Sequence, residues 1–153
     1  MTYQAKIYED PSDEKVGTCI SAYMENCLLF IIQVDWGGIA YDYSKDGEVE
    51  SFVFFDLENT NKLARSFQAR REEVFVKKIA EYFGRYKRSA KHEICKYCDK
   101  RGITYMTHVH YWEEVYLLNN DIIVIYFSYS FLVSEDWDDI LLMLEAPEEC
   151  RER

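Results

Sequence analysis

One group of side chains in this chain has the spacing of metal ligands. His92, Cys95 and Cys98 recur at intervals of three residues. A structural zinc site needs four donors, and the sequence supplies only three here, without a second Cys-x-x-Cys. On a helix these side chains would also spread across a wide arc. We therefore expect cysteines that pack as small apolar groups and no metal or other cofactor.

A second candidate is the pair His108 and His110. On a β-strand these residues point to the same side, because side chains alternate between faces. With Glu113 or Glu114 nearby they could hold a metal or act as an acid–base pair. The sequence fixes no third partner. We interpret them as a half-exposed pair on an edge strand, and we expect no enzyme.

The glycine pair Gly37-Gly38 is not a phosphate-binding loop. It lacks the Lys-Ser/Thr of a P-loop and the spaced glycines of a dinucleotide fingerprint. The pair is more typical of a hairpin turn or a bulge.

Acids and aromatic rings are concentrated in one stretch of the chain, and this stretch is the best candidate for a functional surface. Tyr and Trp anchor protein interfaces, and carboxylates speed encounter with a basic partner. The alternative is that these are ordinary solvated acids and core aromatics, as Trp137 in particular could be. The first group is Asp35, Trp36, Tyr41, Asp42, Tyr43, Asp46, Glu48 and Glu50. The second group is Asp136, Asp138 and Asp139, which flank Trp137.

The net charge of −10 is unevenly distributed along the sequence. Residues 1–60 hold 12 acids and 3 bases (−9), residues 61–101 hold 5 acids and 13 bases (+8), and residues 102–153 hold 11 acids and 2 bases (−9). The basic block predicts either a solvated helix face or a nucleic-acid-binding module. The cations of that alternative, which lie within segment 77–91, are Lys77, Lys78, Arg85, Lys87, Arg88 and Lys91.

The bulk composition favours one globular domain over residues 1–153. Apolar residues make up 48% of the 153 residues, which is far from a disordered composition. The N-terminal residues lack the apolar core of a secretory signal, and the longest apolar run is too short for a membrane helix. The five cysteines then suggest a reduced, cytoplasmic protein with free thiols. We expect a monomer or a weak homodimer.

Short β-branched and aromatic runs separated by turn residues predict the elements that position these groups. Tyr3 to Tyr8 predicts an edge strand, and residues 17–56 predict an antiparallel meander with Cys27 to Val34 at its centre. Within the meander, Ile39 to Tyr43 predicts a strand with one wet face.

Helical periodicity then dominates from Asp56 to Gly102. Asp56 or Asn59 can cap a first helix, residues 71–88 predict a second, and Ala90 to Arg101 predict a third that Gly102 ends. Strands are predicted at 103–111, 114–118 and 122–127, and a last helix at 135–145. The sequence therefore predicts an α+β fold, a mostly antiparallel sheet with helices packed on it.

Three segments resemble a known class of proteins. These are the run Leu28 to Gly38, the acidic strand Glu48 to Phe52, and the segment Leu57 to Leu63. Together they resemble small acidic bacterial proteins that neutralise polymorphic toxins, with the immunity proteins of contact-dependent growth inhibition as the nearest group.

The resemblance implies a cytoplasmic protein that binds one cognate toxin domain, such as an RNase, and blocks its active site. It covers about a quarter of the chain and transfers no individual functional residue. We expect the main partner to be a basic protein rather than nucleic acid or a membrane. Nucleic-acid association through segment 77–91 stays open as the alternative.

Overall fold

The structure is a computed structural model that describes residues 2–11, 15–42, 47–111 and 128–129. Within these residues, six strands form one antiparallel sheet whose spatial order follows the chain order. The strands are β1 (Tyr3–Glu9), β2 (Gly17–Glu25), β3 (Leu28–Trp36), β4 (Glu48–Phe54), β5 (Met106–Tyr111) and β6 (Ser128–Tyr129). The helices are α1 (Leu57–Ser66), α2 (Glu72–Phe83) and α3 (Ala90–Lys100). The predicted α+β class is confirmed.

One face of the sheet forms the main core with the helices. Alternating residues of β2 and β3 point to this side, and Ile20, Met24, Leu29 and Ile31 are fully buried there. Their register pairs them across the strands, Met24 with Leu29 and Ala22 with Ile31. The period-two pattern therefore sets which side of the sheet the helices cover.

The helices contribute one apolar stripe each to this core. Phe75, Ile79 and Phe83 of α2 follow helical spacing and are almost fully buried. Burying one such side chain contributes roughly 1.5–3 kcal/mol. Asp56 caps α1 as predicted, since its carboxylate accepts the backbone N–H of Asn59 at 2.8 Å.

The second predicted helix, 71–88, is too long. α2 ends at Phe83, and a 3₁₀ segment, Gly84–Ser89, follows it. Inside that segment Lys87 has φ 53° and ψ −126°, a conformation that no α-helix contains. The apolar stripe continues through Tyr86, which is why periodicity alone extended the helix past its true end.

The predicted strand at Ile39 to Tyr43 is wrong. Gly38–Asp42 instead forms a 3₁₀ turn, and the N–H of Ala40 bonds to the carbonyl of Gly37 at 3.0 Å. Gly37 and Gly38 both have positive φ angles, which glycine adopts without strain. This pair therefore turns the chain out of the sheet directly after β3.

The third helix agrees with the prediction to within one residue. α3 ends at Lys100, and Gly102 follows with φ +64°, the expected left-handed ending. β5 begins at Met106, three residues later than predicted. The strands predicted at 114–118 and 122–127 and the helix at 135–145 lie outside the described residues.

No helix in the described part of the chain is both long enough and apolar enough to cross a membrane.

Candidate functional site

The metal-like triplet does not converge in the structure. All three residues lie on α3, where His92 is exposed, Cys95 is half-buried and Cys98 is fully buried. Burial raises the pKa of the Cys98 thiol to about 12 and raises that of Cys95 as well. Among the described residues, no three His, Cys, Asp or Glu side chains are grouped as metal ligands. Both cysteines therefore pack as thiols around α3, and their raised pKa values make them poorly reactive at neutral pH.

The cysteines differ from one another in redox state. Cys19, Cys95 and Cys98 have free thiols, whereas Cys27 is disulfide-bonded. The expectation of free thiols throughout is therefore wrong for Cys27, which lies in the turn between β2 and β3.

The two histidines occupy alternate positions of β5. His108 pairs with Phe52 and His110 pairs with Glu50, both on β4. The His108 side chain is 2% exposed and lies 5.9 Å, between ring centres, from Phe52. The predicted half-exposed position is therefore wrong for His108, because this face of the sheet is also apolar.

Asp35 and Trp36, which the sequence groups together, point to opposite faces of the sheet. Asp35 points to the helix side, where its carboxylate accepts the Thr18 hydroxyl at 2.6 Å and the Gln33 amide at 3.0 Å. Consecutive residues of a strand alternate between faces, so Trp36 lies on the other side. Asp35 is thus held by internal hydrogen bonds rather than presented with Trp36.

A cation from α3 approaches the same helix-side region. Lys91 donates a hydrogen bond to the Ser51 hydroxyl. Burial lowers the pKa of this Lys91 amine, while the charge of Asp35 acts in the opposite direction. Lys91 and Asp35 therefore lie in the interface between α3 and the sheet.

One end of the sheet brings Val16 together with three residues of the acidic stretch, and we name this set the sheet-end surface: Val16, Trp36, Tyr41 and Glu48. The half-buried Trp36 pairs in register with the exposed Glu48 of β4. Tyr41 is 64% exposed and Val16 is 49% exposed. This end of the sheet therefore presents apolar surface as well as an acid to solvent.

Close backbone packing builds this surface. A Cβ on Gly17 would lie 2.1 Å from the Trp36 ring, and one on Gly47 would lie 2.5 Å from the Tyr41 ring. Each ring therefore rests on a glycine that leaves room for it. The N–H of Gly37 donates to the carbonyl of Gly47 at 2.8 Å and ties the two chain segments together.

The remaining predicted residues are only partly covered by the structure. Glu48 is exposed and Glu50 is half-buried. Glu48 pairs with Trp36, and Glu50 pairs with Val34, two residues before Trp36. Paired residues lie on the same face of a sheet, so both acids point to the same face as Trp36. Asp42 belongs to the 3₁₀ turn, but its side chain lies outside the description. The residues Tyr43, Asp46, Asp136, Asp138 and Asp139 also lie outside the described residues.

Several cations of the alternative nucleic-acid segment contact the rest of the fold. Lys78 donates to the carbonyl of Phe67 at 3.0 Å, and Lys91 donates to the Ser51 hydroxyl of the sheet. Arg88 forms an ion pair with Asp10 at 2.9 Å. The other cations of the segment are exposed: Lys77, which pairs with Glu73, Arg85 and Lys87.

Sequence reasoning missed Val16 and the contact between Arg101 and Tyr97. Val16 follows a turn and carries no signal of its own in the sequence. Arg101 lies four residues after Tyr97, and this spacing brings two side chains together on a helix. That spacing could have revealed the contact, whose guanidinium carbon lies 3.4 Å from the ring centre.

No protein-family model matches this chain, and neither a curated protein nor a solved structure is similar enough to it to count as a match.

Proposed function

We propose that this chain is an immunity protein that binds a cognate toxin domain and blocks the toxin's active site. The toxin domain would be basic, for example an RNase, and the chain would act by binding and not by catalysis. The resemblance of three sequence segments to toxin-neutralising proteins supports the class of function. The acidic charge of residues 1–60 supports the basic character of the partner.

One observation carries the location of the proposed interface: Tyr41 is 64% exposed beside Val16 at the sheet-end surface. A large ring held over Gly47 loses little freedom on binding, which makes it a suitable anchor. Glu48 on the same end supplies a carboxylate for a Lys or Arg of the partner. Asp35 is removed from this interface, because its carboxylate already accepts internal hydrogen bonds.

The test takes the protein encoded by the neighbouring gene as the candidate toxin domain. The two are co-expressed, and cell growth reports neutralisation, while association rates are measured with the purified proteins. Reversing charge at Asp42, Glu48 and Glu50 together should slow association at least about tenfold at low salt. Tyr41→Ala should speed dissociation, since anchor residues typically contribute about 2 kcal/mol or more.

A matched control reverses three exposed acids elsewhere in the fold, Glu25, Glu58 and Glu81. This variant has the same net charge as the first, so it should keep most of the association rate. Equal slowing in both variants would show that overall charge steers the partner and would contradict the proposed location. Failure of the wild-type chain to rescue growth would contradict the function itself.

We place this activity in the cytoplasm, where a nuclease toxin meets its substrate. Disulfides persist mainly in oxidising compartments, so Cys27 is the residue that tests this location. Cys27 is only 4% exposed, so even a free thiol there would be shielded in the folded chain. Cells are therefore lysed in acid and denaturant, thiols are alkylated in the unfolded chain, and the cysteines are mapped by mass spectrometry. Alkylated Cys27 supports a cytoplasmic location, whereas a protected Cys27 places the chain in an oxidising compartment.

A further inference from the structure

The helical layer carries a row of tyrosine rings in contact with guanidinium groups, which we name the cation–ring strip: Tyr82, Arg85, Tyr86, Tyr97 and Arg101. The guanidinium carbon of Arg85 lies 4.6 Å from the centre of the Tyr82 ring and 4.9 Å from that of Tyr86. At the other end, Arg101 lies over Tyr97. The rings of Tyr82 and Tyr97 are 5.8 Å apart, so the row is continuous across α2 and α3.

The strip has a rigid base. Phe67 stacks on Tyr97 at 5.3 Å and meets the Tyr82 ring edge-on at 5.5 Å. The Tyr97 hydroxyl donates to the Ser66 hydroxyl at 3.0 Å, and Lys78 donates to the carbonyl of Phe67. The rings and cations are therefore ordered before any ligand arrives, which lowers the entropic cost of binding.

The strip lies in the most basic part of the chain. Arg85, Arg101 and Tyr82 are exposed, whereas Tyr86 and Tyr97 are half-buried. Residues 61–101 hold 13 bases and 5 acids, and ten of these bases are exposed. This local excess of positive charge favours an anionic ligand at the strip.

We propose that the cation–ring strip binds single-stranded nucleic acid. Bases stack on tyrosine rings and on guanidinium planes, and the edges of the same guanidinium groups donate to phosphate oxygens. Along this row, the planar groups suit bases and the guanidinium edges suit phosphates of an unpaired strand. Flexible lysines would be enough to bind an acidic polypeptide, because its carboxylates have no flat ring to stack on tyrosine or guanidinium groups. This surface is separate from the sheet-end surface, and the inference does not depend on the proposed function.

The experiment measures the fluorescence anisotropy of a labelled oligouridylate of about twelve nucleotides. The wild-type full-length chain is titrated at several salt concentrations, starting from about 50 mM. We expect binding whose affinity falls steeply as salt rises. Absence of binding at the lowest salt overturns the proposal.

Two variants with equal charge locate the binding surface. Arg85→Gln with Arg101→Gln should lower the affinity about tenfold and reduce the slope of log K against log salt by about 1.4, because each phosphate contact contributes about 0.7. Lys77→Gln with Lys96→Gln is the control and removes the same charge. These two exposed lysines pair with Glu73 and Glu93 and do not belong to the strip. Equal losses in both variants overturn the proposal.

A third variant and a competitor test the role of stacking. Arg85→Lys with Arg101→Lys keeps both charges, so it should keep the salt slope while losing affinity by about threefold through loss of the planar groups. Polyglutamate should compete poorly with the oligonucleotide. Strong competition by polyglutamate, together with full affinity of the lysine variant, would identify an acidic polypeptide as the ligand and overturn the proposal. Circular dichroism confirms that each variant is folded.

Discussion

The sheet-end surface and the layer of helices hold opposite charges in different ways. In the helical layer, several cations contact the fold itself: Lys77 contacts Glu73, Arg88 contacts Asp10, and Arg85 lies over the Tyr82 ring. At the sheet end, Asp35 is bound internally, whereas the Tyr41 ring is exposed near an exposed acid, Glu48. The cations of the helical layer therefore contribute contacts to the fold, whereas the sheet end has one acid held by hydrogen bonds and another exposed to solvent.

This difference shows that the neighbours of a charged side chain decide its role. The carboxylate of Asp35 lies within reach of a hydroxyl and an amide, so it contributes hydrogen bonds to the fold. Glu48 pairs across the strands with Trp36 at the end of the sheet, where a partner can approach it.

The backbone of the two regions should tolerate substitution unequally. A Cβ on Gly37 would lie 1.8 Å from the carbonyl oxygen of Lys15, whereas a Cβ on Gly102 would meet nothing within 4 Å. Gly37→Ala should therefore lower the free energy of unfolding by about 3 kcal/mol or more through clash and strain. Gly102→Ala should cost only about 1 kcal/mol, for its positive φ alone. Urea denaturation measures both values, and equal losses would contradict the difference in packing.

The contact that joins the two regions should make stability depend on pH. Asp10 accepts the Tyr8 hydroxyl, the Thr18 N–H and the Arg88 guanidinium, and these contacts hold its pKa below the ordinary value of 3.8. A depressed folded-state pKa gives stability that is complete above the unfolded value and is lost as the pH falls through the folded value. We therefore expect the urea midpoint of the native protein to fall in acid, below about pH 4.

Asp10→Asn removes this charge and should lower the urea midpoint at neutral pH while flattening its acid dependence. Glu9→Gln is the matched control. Glu9 is the adjacent acid, and its described ion pair is with Lys6 and not with a helix. The control should leave the acid dependence nearly unchanged. If both variants behave alike, the contact with Arg88 does not link the helices to the sheet.

Asp35 and Glu48, two acids at the end of the sheet, should contribute unequally to stability. Asp35→Ala removes the acceptor of the Thr18 hydroxyl and the Gln33 amide, so it should lower the free energy of unfolding by about 1.5 kcal/mol. Glu48→Ala is an exposed change and should stay within about 0.5 kcal/mol. Under the proposed function, binding to the toxin domain should rank the variants in reverse, with Glu48→Ala the weaker binder. A larger loss of stability in Glu48→Ala would contradict the assignment of the two roles.

Much of the fold was predictable because its signals are local. The apolar runs of β2, β3 and β4, the cap at Asp56 and the left-handed residue at Gly102 depend on patterns within a few residues. The wrong predictions fall where a local pattern continues beyond the residue at which the chain leaves the element. Ile39 to Tyr43 alternates like a strand, but the two glycines before it turn the chain first. Tyr86 extends a helical stripe, but the chain has already left the α-helix at Gly84.

The candidate site was predictable as a region and not as a surface. The sequence placed Asp35, Trp36, Tyr41 and Glu48 together, and the structure places all four near one end of the sheet. It could not show that Asp35 points to the helices, because that depends on the strand register and on the position of Thr18. Nor could it show that Arg88 contacts Asp10, a pairing across 78 positions of sequence.

Residue spacing and turn chemistry were enough to predict the fold class, the order of charge along the chain and the boundaries of most elements that the structure describes. The exposure of each acid and cation depends on contacts between residues far apart in sequence, so it follows from the packed molecule alone. For the same reason, the stacking of Arg85 and Arg101 on rings from two helices is a property of the packed molecule, which no local pattern contains.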